Sequence, residues 1–127
     1  MSLKRVLFVD EHGLGLSRAI EAVYQAGYQP SCSQTASEAW EILNNNESYD
    51  AVVVSETLPD MGGVDLIEKI KQNPMLAKIP IILETSSDDA KNSLRALQAG
   101  AMDFIHWPLE KNFLIYLLDS AVNKVLS

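Results

Sequence analysis

Four short apolar runs in this chain each end on residues able to do chemistry. Val6-Leu7-Phe8-Val9 ends on Asp10-Glu11, and Asp50-Ala51-Val52-Val53-Val54 leads into Ser55-Glu56. Ile81-Ile82-Leu83 ends on Glu84-Thr85, and Phe104-Ile105 ends on His106-Trp107. Asp10 and Glu11 are hard oxygen donors of the kind that suit magnesium or calcium; as ordinary acids they would instead balance the positive amino ends of nearby helices. Ser55 is a neutral hydroxyl and a poor nucleophile at rest. A hydrolase built from Ser55, His106 and Glu84 or Asp10 is disfavoured. A nucleophile elbow needs small residues around its serine, and Val54-Ser55-Glu56 with a following Pro59 lacks them. Gly13-Leu14-Gly15 hints at a dinucleotide loop, but Arg18 stands where the third glycine belongs.

Those residues require elements to position them. Three consecutive valines without polar alternation suit a parallel strand covered on both faces. Pro59 and Gly62-Gly63 then turn the chain. Gln29–Ser33 is a weaker strand, placed at a sheet edge by Pro30. Helical stripes are expected from Leu16, Ala19, Ile20 and Val23, stopped by Gly27, and from Ala39, Trp40 and Leu43 after a Thr35-x-x-Glu38 capping box. Further stripes follow at Val64, Leu66, Ile67 and Ile70, at Leu94 and Leu97 after Ser86-x-x-Asp89, and at Phe113, Leu117, Ala121 and Val125. Asn44-Asn45-Asn46, Asn73-Pro74 and Gly100 close the second, third and fourth helices. Strands and helices alternate five times, which predicts a doubly wound parallel α/β sheet in one domain over residues 1–127. In such sheets a site forms beyond the carboxyl ends of the strands, where Asp10, Ser55 and Thr85 fall.

The bulk properties narrow the partners. The 127 residues are 47% hydrophobic and 21% charged, with net charge −7. Ten scattered Lys and Arg give no basic patch, which argues against nucleic acid and against an anionic membrane surface. No apolar run approaches the roughly 20 residues that span a bilayer, and Lys4-Arg5 leads straight into a strand, so no leader is expected. A single Cys32 suits a reducing cytoplasm. A protein partner is the expectation that remains.

The run ending at Ser55, followed by Leu58-Pro59-x-Met61-x-Gly63, resembles the central loop of response-regulator receiver domains. Asp10-Glu11, Thr85 after Pro80-Ile81-Ile82-Leu83, and Gly100-Ala101-x-Asp103-Phe104 recur in that family's order without insertion or deletion. The resemblance implies a flavodoxin-like five-stranded sheet of order 2-1-3-4-5 with five helices, a magnesium role for Asp10 and Glu11, and switch positions at Thr85 and Phe104. It also implies a phosphoacceptor aspartate where Ser55 stands and a lysine where Trp107 stands. With nucleophile and cation both replaced, the expectation is a non-enzymatic receiver without phosphoacceptor chemistry. It would serve two-component phosphorelay signalling through protein contacts, with no cofactor beyond weak or absent magnesium. The fourth helix, fifth strand and fifth helix form the implied interaction face, and the implied face of a homodimer. Alternatives are a module controlled by a serine kinase at Ser55, Ser86 or Ser87, or one that binds a ligand at the residual acidic site.

Two acids stand outside the pattern. Glu56 lies one residue past the acceptor position, where strand alternation reverses its direction. It reads as a solvated loop acid unless a bulge turns it inward. Glu84 occupies an aliphatic position, and if Thr85 is level with Trp107 it pairs with His106 as a satisfied polar couple.

Overall fold

The computed structural model describes residues 3–11, 13–45, 48–86 and 90–123. Five strands alternate with five helices: β1 Arg5–Val9, α1 Leu14–Gln25, β2 Gln29–Ser33, α2 Ala36–Leu43, β3 Ala51–Ser55, α3 Gly63–Gln72, β4 Ile81–Thr85, α4 Ala90–Ala99, β5 Asp103–His106 and α5 Lys111–Val122. All strand pairs are parallel and the order is β2-β1-β3-β4-β5. The expected fold is therefore the observed one, with Pro30 on an edge strand.

Alternation along the strands divides the core in two. Leu7, Val9, Val52, Val54, Ile81 and Leu83 face α2 and α3, with Ala96 of α4 joining them. Val6, Phe8, Ala51, Val53, Ile82 and Ile105 face α1 and α5, where Leu16, Ala19, Val23, Leu114, Leu117 and Leu118 meet them. Every residue of β3 and β4 is buried, the result expected of central strands covered on both sides. Full burial of each aliphatic side chain contributes about 1.5–3 kcal/mol.

Local chemistry sets the turns. Thr35 caps α2 by accepting from the Glu38 amide at 3.0 Å, as its position predicts. Asp60 adds to that cap, accepting from the Ala36 and Ser37 amides at 2.9 Å each. These bonds hold its carboxyl below the ordinary range and tie the β3–α3 loop to α2. Gly63 follows because a Cβ there would lie 2.0 Å from the Ser55 carbonyl oxygen. Past α1, Gly27 takes a φ of 100° and turns the chain toward β2.

Some expected core positions are corrected. Leu94 and Leu97 are 54% and 42% exposed, and Ala96 is the buried residue of α4. Phe113 is 44% exposed, while α5 buries Leu117 and Ala121 as expected, together with Leu114 and Leu118. Trp40 is half-buried, with the Lys69 ammonium 4.4 Å above its ring. The other described stripes bury their expected faces, and Phe113 misses because runs such as Phe113-Leu114 offer two adjacent apolar choices. Asn46, Ser87, Asp89 and Val125 lie outside the described residues.

Candidate functional site

The carboxyl ends of β1, β3 and β4 bring Asp10, Ser55 and the Glu84-Thr85 pair to one edge of the sheet. Ser55 is level with Glu84 across the β3–β4 ladder, so both side chains point toward α1 and α5. Asp10 continues β1 and faces the same way. Its strand and β4 flank β3, roughly 9–10 Å apart at the usual strand spacing. The two carboxyls meet over Ser55, whose short side chain leaves the room.

All three groups are withdrawn from water. Asp10 and Glu84 are 0% exposed and Ser55 is 2% exposed. The Ser55 hydroxyl donates to the Thr57 carbonyl at 3.0 Å and accepts from the Thr57 amide at 3.3 Å. It is engaged by its own loop rather than aimed at a substrate. Burial first, and then the hydrogen bond and like charge of Asp10, push the Glu84 carboxyl up to about 10. As carboxylates the two groups are both acceptors, and neither Glu84 oxygen finds a donor. With the proton on Glu84 the contact becomes a hydrogen bond donated to Asp10. Glu84 is therefore a neutral acid at pH 7.

Glu11, by contrast, is exposed. Among the described residues no group of three His, Cys, Asp or Glu is arranged to hold a metal ion. Asp10 does meet Glu84.

The opposite side of the same edge holds Glu56. Its amide donates to the Glu84 carbonyl at 2.8 Å, continuing the β3–β4 pairing one residue past the strand. Alternation is thereby preserved, and the Glu56 side chain turns away from Ser55 to accept a hydrogen bond from the buried Thr85 hydroxyl. The reading of Glu56 as a solvated loop acid is overturned: it is half-buried and bonded to a switch position. Phe104 is half-buried on that side too, packed against the α2–α3 core.

The predicted Glu84–His106 couple does not form. The register pairs Thr85 with His106 and Glu84 with Ile105, so His106 falls on the other face. It is exposed there, edge-on to Phe104 with ring centroids 5.7 Å apart. Trp107 follows through a cis bond to Pro108, and its amide donates to the Thr85 carbonyl at 2.9 Å. Its half-buried indole lies against α1, where a Cβ on Gly15 would come within 2.9 Å of the ring. An aromatic wall thus stands at the position where the resemblance implies an ammonium.

Sequence reasoning located Ser55, Thr85, Phe104 and Trp107 at this edge but missed the Asp10–Glu84 contact and the cap made by Asp60. Strand alternation counted from Asp10 and Ser55 would have placed Glu84 beside them. Of the candidate modification sites, Ser55 is buried, Ser86 is exposed and Ser87 lies outside the described residues.

Comparison with known proteins bears on this edge. The family model of the response regulator receiver domain matches residues 6–119. The two-component response regulator ORR8 of Oryza sativa subsp. indica is 26% identical over 110 residues, covering 87% of this chain and 91% of that protein. The phosphate regulon transcriptional regulatory protein PhoB of Pseudomonas aeruginosa is 24% identical over 121 residues, 95% of this chain but 52% of its own length. A CheY-like receiver domain from Methanospirillum hungatei superposes with a TM-score of 0.87 at 28% identity, covering 97% of this chain and 96% of that one.

Proposed function

The chain belongs to the response regulator receiver domain family, and we propose that it serves two-component signalling as a receiver that works through protein contacts without phosphorylation at the end of β3. One observation carries the reading. The acceptor position holds Ser55, a buried hydroxyl closed on Thr57 beneath the Asp10–Glu84 pair. Acyl-phosphate chemistry needs a carboxylate nucleophile, a metal and a stabilising cation. Here the nucleophile is neutral, the acid beside Asp10 holds a proton, and Trp107 brings no charge.

The Glu56–Thr85 bond supports a fixed signalling state. A carboxylate already occupies the Thr85 hydroxyl that the resemblance assigns to a phosphoryl oxygen. The output is then constitutive, delivered to a protein partner from the α4–β5–α5 face, where Leu94, Leu97, Phe113 and Tyr116 are exposed. A second copy of the chain is the alternative occupant of that face. A cytoplasmic setting, and no engagement of nucleic acid or membrane, accord with the acidic charge. No helix among the described residues is long and apolar enough to cross a membrane. Control by a serine kinase is weakened by the burial of Ser55, and among the described candidates Ser86 is the exposed one.

Beryllofluoride with magnesium tests the proposal. The amide spectrum around Ser55, Thr85 and Phe104 is expected to stay unchanged. A saturable shift of those signals would show a working acceptor site and overturn it.

A further inference from the structure

The groove between the first turns of α1 and the loop entering α5 differs from the rest of this surface. Gly15, Arg18 and Ala19 form one wall, and Trp107, Pro108, Leu109 and Lys111 the other, around about 280 Å³. The sequence sets this up directly. Residues 15, 18 and 19 share one helix face, and Gly15 exposes helix backbone so that the Trp107 ring can lie against it. Two cations flank an aromatic wall, and among the described residues no acidic side chain lines the groove, in a chain of net charge −7. Among the described residues neither Arg18 nor Lys111 has an ion-pair partner. The groove between α3 and α4 is unlike it: Glu68 sits there with Lys71 and Arg95, and the Lys71 ammonium is already bonded to the Ala77 and Ile79 carbonyls at 2.9 and 2.8 Å.

We propose that the α1–α5 groove binds a small aromatic carboxylate, its ring against Trp107 and its carboxylate between Arg18 and Lys111. The chemistry of the walls selects this class. A planar guanidinium pairs with a carboxylate in two parallel hydrogen bonds, which an ammonium on the far side supplements. The indole offers a flat apolar surface that stacks on a ring. The volume, just below the range of drug-sized pockets, limits the ligand to one or two rings. Occupancy would fasten the β5–α5 loop to α1 and so give this domain a small-molecule input independent of phosphorylation.

The test is an NMR titration of the wild-type chain with 1-naphthoate, following the Trp107 indole N–H and the Gly15 amide, with the Trp40 indole as internal control. Saturable shifts at Trp107 and Gly15 with Trp40 unmoved are expected. 1-Naphthalenemethanol, the neutral analogue, should bind at least five-fold more weakly, as should naphthoate to the Arg18→Gln/Lys111→Gln variant. Both changes are at exposed positions, so the fold is retained. Equal affinity for the neutral analogue, or an unaltered affinity in the variant, overturns the proposal. So does inorganic phosphate matching naphthoate, which would reveal an unselective anion patch. A short glutamate-rich peptide moving the same signals at lower concentration than naphthoate would assign the groove to a protein partner instead.

Discussion

The two sides of the sheet's carboxyl edge treat their acids in opposite ways. Toward α1 and α5, Glu84 meets another carboxyl, is sealed from water and keeps its proton. Toward α2 and α3, Glu56 meets a hydroxyl that donates to it, and it stays half-buried. Ser55 and Glu56 are adjacent residues sent to opposite faces by strand alternation. The resemblance puts the acceptor and lysine positions on the first side, where this chain holds a neutral acid and an aromatic ring. It has placed an anion on the second. The difference teaches that the side chain next to a carboxyl decides its role: a second acid makes it a plug, and a hydroxyl makes it a tie.

Inserting a third acid on the first side is the largest break. Ser55→Asp puts a carboxyl between Asp10 and Glu84 in a dry space, where uncompensated charge costs several kcal/mol. The expected loss is about 3 kcal/mol or more in chemical denaturation, relieved in large part by adding Glu84→Val. For the same reason Ser55→Asp/Trp107→Lys should label poorly with a small phosphodonor, and the triple variant with Glu84→Val better. Equal labelling of double and triple variants would show that Glu84 does not obstruct the site.

Proton uptake sharpens the contrast next. The folded chain keeps a proton on Glu84 that the unfolded chain releases above about 4.5, the ordinary value for this group. Stability from this group is therefore fully present below pH 4.5 and is lost as pH rises toward 10. The limiting slope is about 1.4 kcal/mol per pH unit. Glu84→Gln should flatten that slope and be the more stable protein at pH 8, by about 2 kcal/mol or more. Parallel stability curves for the two proteins would mean that Glu84 is ionised in the fold.

How much of this was legible in the sequence follows from the same residues. The valine run, the Thr35 cap and the proline and glycine punctuation specify local geometry and a doubly wound parallel sheet, while its strand order came from the family resemblance. Ser55 and Thr85 were placeable because each ends a strand, and Trp107 because it follows one directly. The Glu84 contact was not read, because Glu84 was matched to β5 rather than counted by alternation against Ser55 and Asp10. Setting Thr85 level with Trp107 rather than His106 put His106 beside Glu84, where Ile105 stands. Glu56 was misjudged because loop acids are usually solvated, while here the β3–β4 pairing runs one residue beyond the strand.

On the second side the effects are smaller. Glu56→Gln weakens a charge-assisted bond and should cost about 1–2 kcal/mol, with the largest amide shifts at Thr85 and Phe104 rather than at Asp10. Shifts centred on Asp10 would mean the two sides communicate through Ser55. Smallest is Phe113→Gln on the exposed face of α5, expected within about 0.5 kcal/mol of wild type, against 2–5 kcal/mol for the buried neighbour Leu114→Ala. A large loss from Phe113→Gln would return that ring to the core.

The most direct test of the central claim is the intact mass of the wild-type chain after incubation with acetyl phosphate and magnesium, with a phosphorylatable receiver as positive control. An unchanged mass is the predicted result, since the end of β3 offers a buried serine engaged with Thr57. A stoichiometric gain of one phosphoryl group on Glu56, Glu84, Asp10 or Ser55 would contradict it.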